Sequence, residues 1–204
     1  MIKALILDFG GVIVRTEDYS PRLAWDRRLN LPPGSAERAV HGSEAWIQAQ
    51  LGRLDDAAYW DAVAGALGLP PEQIPDFARD YFSGDRLNTE LMDLVRGLRH
   101  ERGLQTAILS NDRPQLAEKI RALGIEPLFD EIVISASLGV MKPNPRAYES
   151  VLAALHVAPE ESVFVDDAPA NIDGARVVGM HAIHFRENAG VRLGLESLLA
   201  EQGA

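Results

Sequence analysis

Short apolar runs that alternate with helix-like stretches are what most narrows the folds open to this chain. Residues 4–7, Ala-Leu-Ile-Leu, form an unbroken apolar run of strand length, the pattern of a strand buried on both faces of a parallel sheet. From Asn88 onward similar runs recur between helices. Asn88 caps a helix to residue 102, residues 104–109 read as a strand, and Pro114 opens a helix that Gly124 closes. Residues 131–135 form a short strand, 146–156 a helix, 162–165 a strand, 169–178 a helix, 181–185 a strand and 194–201 a last helix. Strand and helix in alternation predict an α/β fold with a Rossmann-like, doubly wound parallel core and right-handed crossovers.

The segment between the first strand and this series reads differently. Ser20 and Pro21 look like an N-cap and first helical residue, opening a helix that carries Leu23, Trp25 and Leu29 and ends at Pro32, Pro33 and Gly34. Residues 35–51 and 55–67 are further helical stretches, the second begun by Asp55 and Asp56, whose charge suits a helix N-terminus. Pro70 and Pro71 separate another, interrupted by Pro75, and no strand is expected. The expected organisation is a core of residues 1–14 and 87–204 with an inserted all-helical cap over 15–86. A chain of 204 residues, 47% hydrophobic, is long enough for one substantial core and such an appendage.

A formal charge of −10 disfavours nucleic acid and anionic membrane as partners. The chain has no Cys, which removes disulfides, thiolate metal sites and thiol nucleophiles together. It starts directly on a strand, without signal-peptide features, and holds no apolar run of membrane-spanning length, so a cytoplasmic location is the expectation.

In a parallel sheet the carboxyl ends of the strands share one edge, where open α/β folds bind ligands. Three of the apolar runs end there in polar residues: Asp8, Ser110 with Asn111, and Asp166 with Asp167. Any one of these, taken singly, reads as a turn residue or helix cap. Together with Lys142 in the loop GVMKPNP they form a constellation that capping does not require. Asp8 and Asp167 would present two carboxylates to one point, and like charges so placed repel unless a cation lies between them. An all-oxygen donor set makes Mg²⁺ the natural candidate. Gly10 and Gly11 let the backbone turn sharply and approach a ligand. Lys142 stands out in a chain with 17 Arg and 3 Lys. Its compact ammonium suits phosphate, or the shielding of a carboxylate, the alternative being a solvated loop lysine.

The segments DFGGVIV, LSND, the lysine of GVMKPNPRAY, and FVDDAPANIDGA, in this order and around a helical insert, resemble the haloacid dehalogenase (HAD) superfamily over essentially the whole chain. The likeness is to a phosphatase branch with a DxGxV first motif and a small helical cap. The resemblance implies Asp8 as nucleophile, Ser110 with Asn111 as phosphate-binding residues, and Lys142 as the charge-stabilising and phosphate-contacting lysine. It implies Mg²⁺ on Asp8, the Gly10 backbone carbonyl and Asp167, with Asp166 close behind and Asn171 supporting the metal waters. The implied reaction is hydrolysis of a small phosphorylated metabolite, with sugar phosphates favoured, through an aspartyl-phosphate on Asp8.

One position departs from that pattern. Phosphatases of the superfamily usually carry an aspartate two residues after the nucleophile as general acid and base, and here Gly10 stands there. Such assistance is worth about 10²–10⁴-fold, so substrates whose leaving group needs little protonation, such as anomeric sugar phosphates or aryl phosphates, are expected to suffer least. If Gly10→Asp raises aryl and alkyl phosphate hydrolysis by one common factor, that expectation fails. The alternatives are a haloacid dehalogenase, insensitive to chelator, and a weak or silent relative that binds a phosphorylated ligand or a protein. A receiver domain is far shorter, and neither GxxxxGK[ST] nor GxGxxG occurs. Trp25, His41, Trp46, Arg53, Tyr59 and Trp60 are either pocket or core residues of the cap, and His181 and His184 read as strand-edge residues.

Overall fold

The computed structural model of the chain describes residues 1–200. Its first strand, β1 (Ala4–Leu7), is buried throughout and has parallel neighbours on both sides, as its unbroken apolar run requires. Just beyond it, β2 (Val14–Thr16) pairs antiparallel with β3 (Asp85–Leu87), Val14 opposite Leu87 and Thr16 opposite Asp85. This ribbon corrects the expectation that no strand falls between residues 15 and 86. Each strand has three residues and mixed polarity, so neither shows a period until the two ends of the insert meet.

Between the ribbon strands lie α1 (Ser20–Arg28), α2 (Ser35–His41), α3 (Glu44–Gln50), α4 (Asp56–Leu67) and α5 (Ile74–Tyr81). They share a core of their own around Trp25, Val40, Tyr59, Val63, Phe77 and Tyr81. Tyr19 rather than Ser20 stands at the N-cap of α1, and Asp18 Oδ1, just before it, accepts the Ser20 N–H at 2.8 Å. Of the residues this helix carries, Trp25 is buried and Leu23 exposed. The expected helix 35–51 is broken at Gly42, after which Ser43 Oγ accepts the Trp46 N–H at 3.2 Å and caps α3. That break turns His41 and Trp46 toward each other, with ring centroids 5.1 Å apart.

The rest of the chain follows the alternation read from sequence: α6 (Thr89–Arg102), β4 (Gln105–Ser110), α7 (Leu116–Ala122), β5 (Glu131–Ile134), a short α8 (Ser135–Leu138), α9 (Pro145–Leu155), β6 (Ser162–Asp166), α10 (Pro169–Val177), β7 (His181–His184) and α11 (Asn188–Ala200). The sheet order is β5-β4-β1-β6-β7, all parallel. Alternate residues of the central strands serve opposite faces. Leu5, Leu7, Ile108, Val163 and Val165 pack beneath α6, α7 and α11. Ala4, Ile6, Ala107, Leu109 and Phe164 pack against α9 and α10.

The last helix starts at Asn188, not at Gly194, and the expected end at Glu201 lies outside the described residues. Gly194 sits inside α11, where a Cβ would lie 2.8 Å from Ile183 Cδ1, so this glycine allows close packing on β7 instead of starting the helix. Among the described residues no helix is long and apolar enough to cross a membrane.

Candidate active site

β1 delivers Asp8 to the carboxyl edge of the sheet, and the chain then reverses within a few residues. The Gly11 N–H donates to Val14 O at 2.8 Å, and the N–H groups of Ile13 and Val14 both return to Phe9 O. Gly11 adopts φ +78°, and a Cβ there would lie 2.6 Å from Asp167 Cγ. The glycine is thus required both by its backbone angle and by the carboxylate beside it. We expect Gly11→Ala to cost more than about 1 kcal/mol and to displace Asp167. A lowered melting temperature together with weaker protection by a divalent cation checks this.

Lys142 reaches the same point from the loop between α8 and α9. Its Nζ donates to Asp8 Oδ1 and to Asp166 Oδ2, both at 2.7 Å, with the lysine side chain 1% exposed. Asn111 lines the same cavity and braces this lysine: its Nδ2 donates to Lys142 O at 2.9 Å and its Oδ1 accepts the Lys142 N–H at 2.8 Å. Asp166 is fully buried, and its oxygens also accept from Asn171 Nδ2 and from the Ala168 N–H. Asp166 and Asn171 therefore hold the lysine in place, while Asp8 and Asp167 keep oxygens toward the cavity. Ser110, at the end of β4, lines the same space. Asn171 Nδ2 is taken by Asp166, while Asn171 also lines the cavity.

The electrostatics call for a cation. Ligand oxygens of Asp8, Asp166 and Asp167 lie within 4.8 Å of one another, around one ammonium. Burial pushes the Asp8 carboxyl well above the usual carboxylate range, Lys142 pulls it part of the way back, and the charge of Asp166 raises it further. Asp167 is also raised, by burial and then by Asp166. Carboxylates that resist ionisation for want of positive charge, offering hard oxygens only, fit a divalent cation of the magnesium type.

The site opens into a cavity of about 770 Å³, and Arg22, Glu37, His41, Trp46 and Phe82 of the insert line it together with Asp8 and Lys142. Of the cap residues considered from sequence, His41 and Trp46 reach this lining, whereas Trp25 and Tyr59 are core. Arg22, Glu37, Asp85, Arg113 and Lys119 were not anticipated. Arg22 links Glu37 to Asp85 at 2.6 and 3.0 Å, and Arg113 pairs with Asp56 over the Tyr59 ring. These groups belong to no motif and converge only through packing of the insert. No signal in the sequence marks them.

Residues 2–179 match the family model of haloacid dehalogenase-like hydrolases. The chain is 27% identical over 198 residues to a sesquiterpene phosphatase of Aspergillus oryzae, covering 97% of this chain and 96% of that protein. It is 33% identical over 153 residues to a phosphoserine phosphatase of Thermus thermophilus, covering 72% of this chain and 60% of that protein. A HAD family enzyme of Bacteroides thetaiotaomicron, solved with magnesium and inorganic phosphate, superposes with a TM-score of 0.74 at 20% identity, over 92% of this chain and 96% of that one. Its likeness is one of fold. Since the family model spans most of the sequence and all four motif segments, the chain belongs to the haloacid dehalogenase-like hydrolase family.

Proposed function

We propose that the protein is a Mg²⁺-dependent phosphatase that hydrolyses a small phosphorylated metabolite, with sugar phosphates the favoured class, through an aspartyl-phosphate on Asp8, and that residues 15–86 act as the cap over this site. The observation that carries the reading is the Asp8 carboxylate, anchored by one oxygen to Lys142, lining the cavity and grouped with Asp167. The phosphatase relatives support the reaction class, and the magnesium and phosphate of the structural neighbour support the ligand.

Asp8, Asp167 and the Gly10 carbonyl would hold the cation, which when bound supplies positive charge that offsets the anionic oxygens of the phosphoryl group. Lys142 keeps one Asp8 oxygen tied down, orienting the other for attack, and its ammonium faces the charge that builds up in the transition state. Ser110 donates its hydroxyl to a phosphoryl oxygen. Asp166 and Asn111 fix Lys142, so their part is positioning. Water then displaces the phosphoryl group from Asp8 and regenerates the carboxylate. Glu37, Arg22 and His41 give the mixed lining, which also holds Tyr19, Trp46 and Phe82, polar groups that could meet the hydroxyls of a leaving group.

A panel of phosphorylated metabolites with Mg²⁺ or chelator tests this. Mg²⁺-dependent release of phosphate is the expected result. Chelator-insensitive dehalogenation would overturn it, and tight binding without turnover would favour the second reading, a silent binder, to which Gly10 lends weight.

The cation also has a stability signature. A raised carboxyl pKa stabilises the metal-free fold at low pH, and that stability is lost as pH rises through the folded value. Mg²⁺ competes with those protons, so its protection should grow from about pH 5 to about pH 8. At about 100 times its Kd it should add roughly 2.7 kcal/mol, or roughly 5–10 °C of melting temperature for a chain of this size. A melt insensitive to Mg²⁺ at both pH values contradicts the site.

A further inference from the structure

With Gly10 in the usual place of the acid, the proton for the leaving group must come from elsewhere. A Cβ at Gly10 would meet nothing within 4 Å, so the position opens onto space rather than onto a substitute side chain. Most titratable groups around the cavity are committed. Lys142 is pinned between two carboxylates, and Asp85 is paired with Arg22 and Lys119. Glu37 is held as an anion: burial opposes this, but hydrogen bonds from His41, Tyr81 and Arg22 bring its carboxyl down to about 2.

His41 is placed differently. Its Nδ1 lies 3.2 Å from Glu37 Oε1 and 3.0 Å from the Tyr81 hydroxyl oxygen. The Tyr81 hydroxyl itself donates to Glu37 Oε2 at 2.7 Å. Both neighbours of Nδ1 are therefore acceptors toward it, and the proton there stays on Nδ1. Among the described residues Nε2 has no hydrogen-bond partner. Trp46 and Phe82 stand edge-on to the imidazole, with centroids 5.1 and 6.1 Å away, and fix its plane while the side chain stays 32% exposed on the cavity wall.

The geometry points to His41 as the general acid and base of this site, with Glu37 as its positioning residue, so that the helical unit supplies what Gly10 lacks. The inference rests on the phosphatase reading. In the first step the Asp8 oxygen–phosphorus bond forms, the bond from phosphorus to the leaving oxygen breaks, and the Nε2 proton passes to that oxygen. In the second, water attacks phosphorus, its proton goes to Nε2, and the bond to Asp8 breaks to give back carboxylate and free phosphate. The imidazolium forms beside the Glu37 anion on its own helix. Tyr81 from α5, Arg22 from α1 behind Glu37, and Asp112 and Lys119 from the core complete its charged surroundings.

Asp112 is the rival acid, since burial raises its carboxyl and it lines the same cavity. The test compares p-nitrophenyl phosphate, whose leaving group needs no proton, with glycerol phosphate, whose alkoxide does. In His41→Gln, kcat on glycerol phosphate should fall about 10²–10⁴-fold and kcat on p-nitrophenyl phosphate less than about tenfold. The alkaline limb of the wild-type pH profile on glycerol phosphate should vanish with it. Glu37→Gln should move the two substrates apart in the same sense. Equal losses on both substrates, no loss on either, or the same split in Asp112→Asn would overturn the assignment while leaving the phosphatase reading intact. A wild-type protein that hydrolyses neither substrate would overturn both.

Discussion

Asp8→Asn is expected to abolish phosphate release, lowering kcat by on the order of 10⁴–10⁶-fold, the scale of loss when an enzyme is deprived of its nucleophile. The substitution keeps the shape of the side chain and removes only its anionic charge. Asp8 sits with Asp166 and Asp167 around a single ammonium, and its ionisation is resisted by burial. Neutralising it relieves repulsion, so the melting temperature in chelator should not fall. Phosphate binding should survive, because Ser110 and Lys142 remain. A full loss of turnover in a protein that still melts normally separates chemistry from folding. Substantial residual activity would mean that another group attacks phosphorus.

Lys142→Met should be the second largest effect, and it acts on both stability and rate. The ammonium is buried between Asp8 and Asp166 at 2.7 Å from each, and methionine fills much of its volume without its charge. Removing one partner of a buried ionic group typically costs 3–5 kcal/mol, because the remaining charge is left uncompensated. Asp8 then loses the cation that offsets its burial, so its carboxyl rises further. A raised carboxyl pKa favours the fold at low pH, so the deficit should shrink as pH falls and widen as it rises. Thermal melts of both proteins across that range check the sign. A deficit independent of pH would argue that the lysine matters for packing alone.

The core was legible because its signals are local and mutually consistent. The run 4–7 is apolar without interruption since β1 has a strand on each side, and Asp8 marks its end because the next residue lies at the ligand edge. Asn88 and Asp55 cap helices as read, accepting the N–H groups of Leu91 and Ala58. The insert was legible only as helices. The ribbon of β2 and β3 joins residues some seventy positions apart, and nothing in three residues announces a partner so distant.

The candidate site divides in the same way. Asp8, Ser110, Lys142, Asp166 and Asp167 stand at strand ends or in one loop, so the sheet topology alone gathers them. Asn111 lines the cavity too, and its pairing with the Lys142 backbone is visible only once the loop is folded against β4. Of the lining that the insert supplies, only His41 and Trp46 were among the residues considered from sequence. Glu37 and His41 are four apart on one helix, an unremarkable spacing, and they acquire chemistry only when Tyr81 and Arg22 arrive from two other helices.

Trapping the enzyme during turnover tests the central claim most directly. Acid-quenched protein mixed with Mg²⁺ and a hydrolysed substrate should carry one phosphoryl group on the peptide that contains Asp8, and none in Asp8→Asn or in chelator. Steady turnover with no such adduct, or with the phosphoryl group on another residue, would contradict the account.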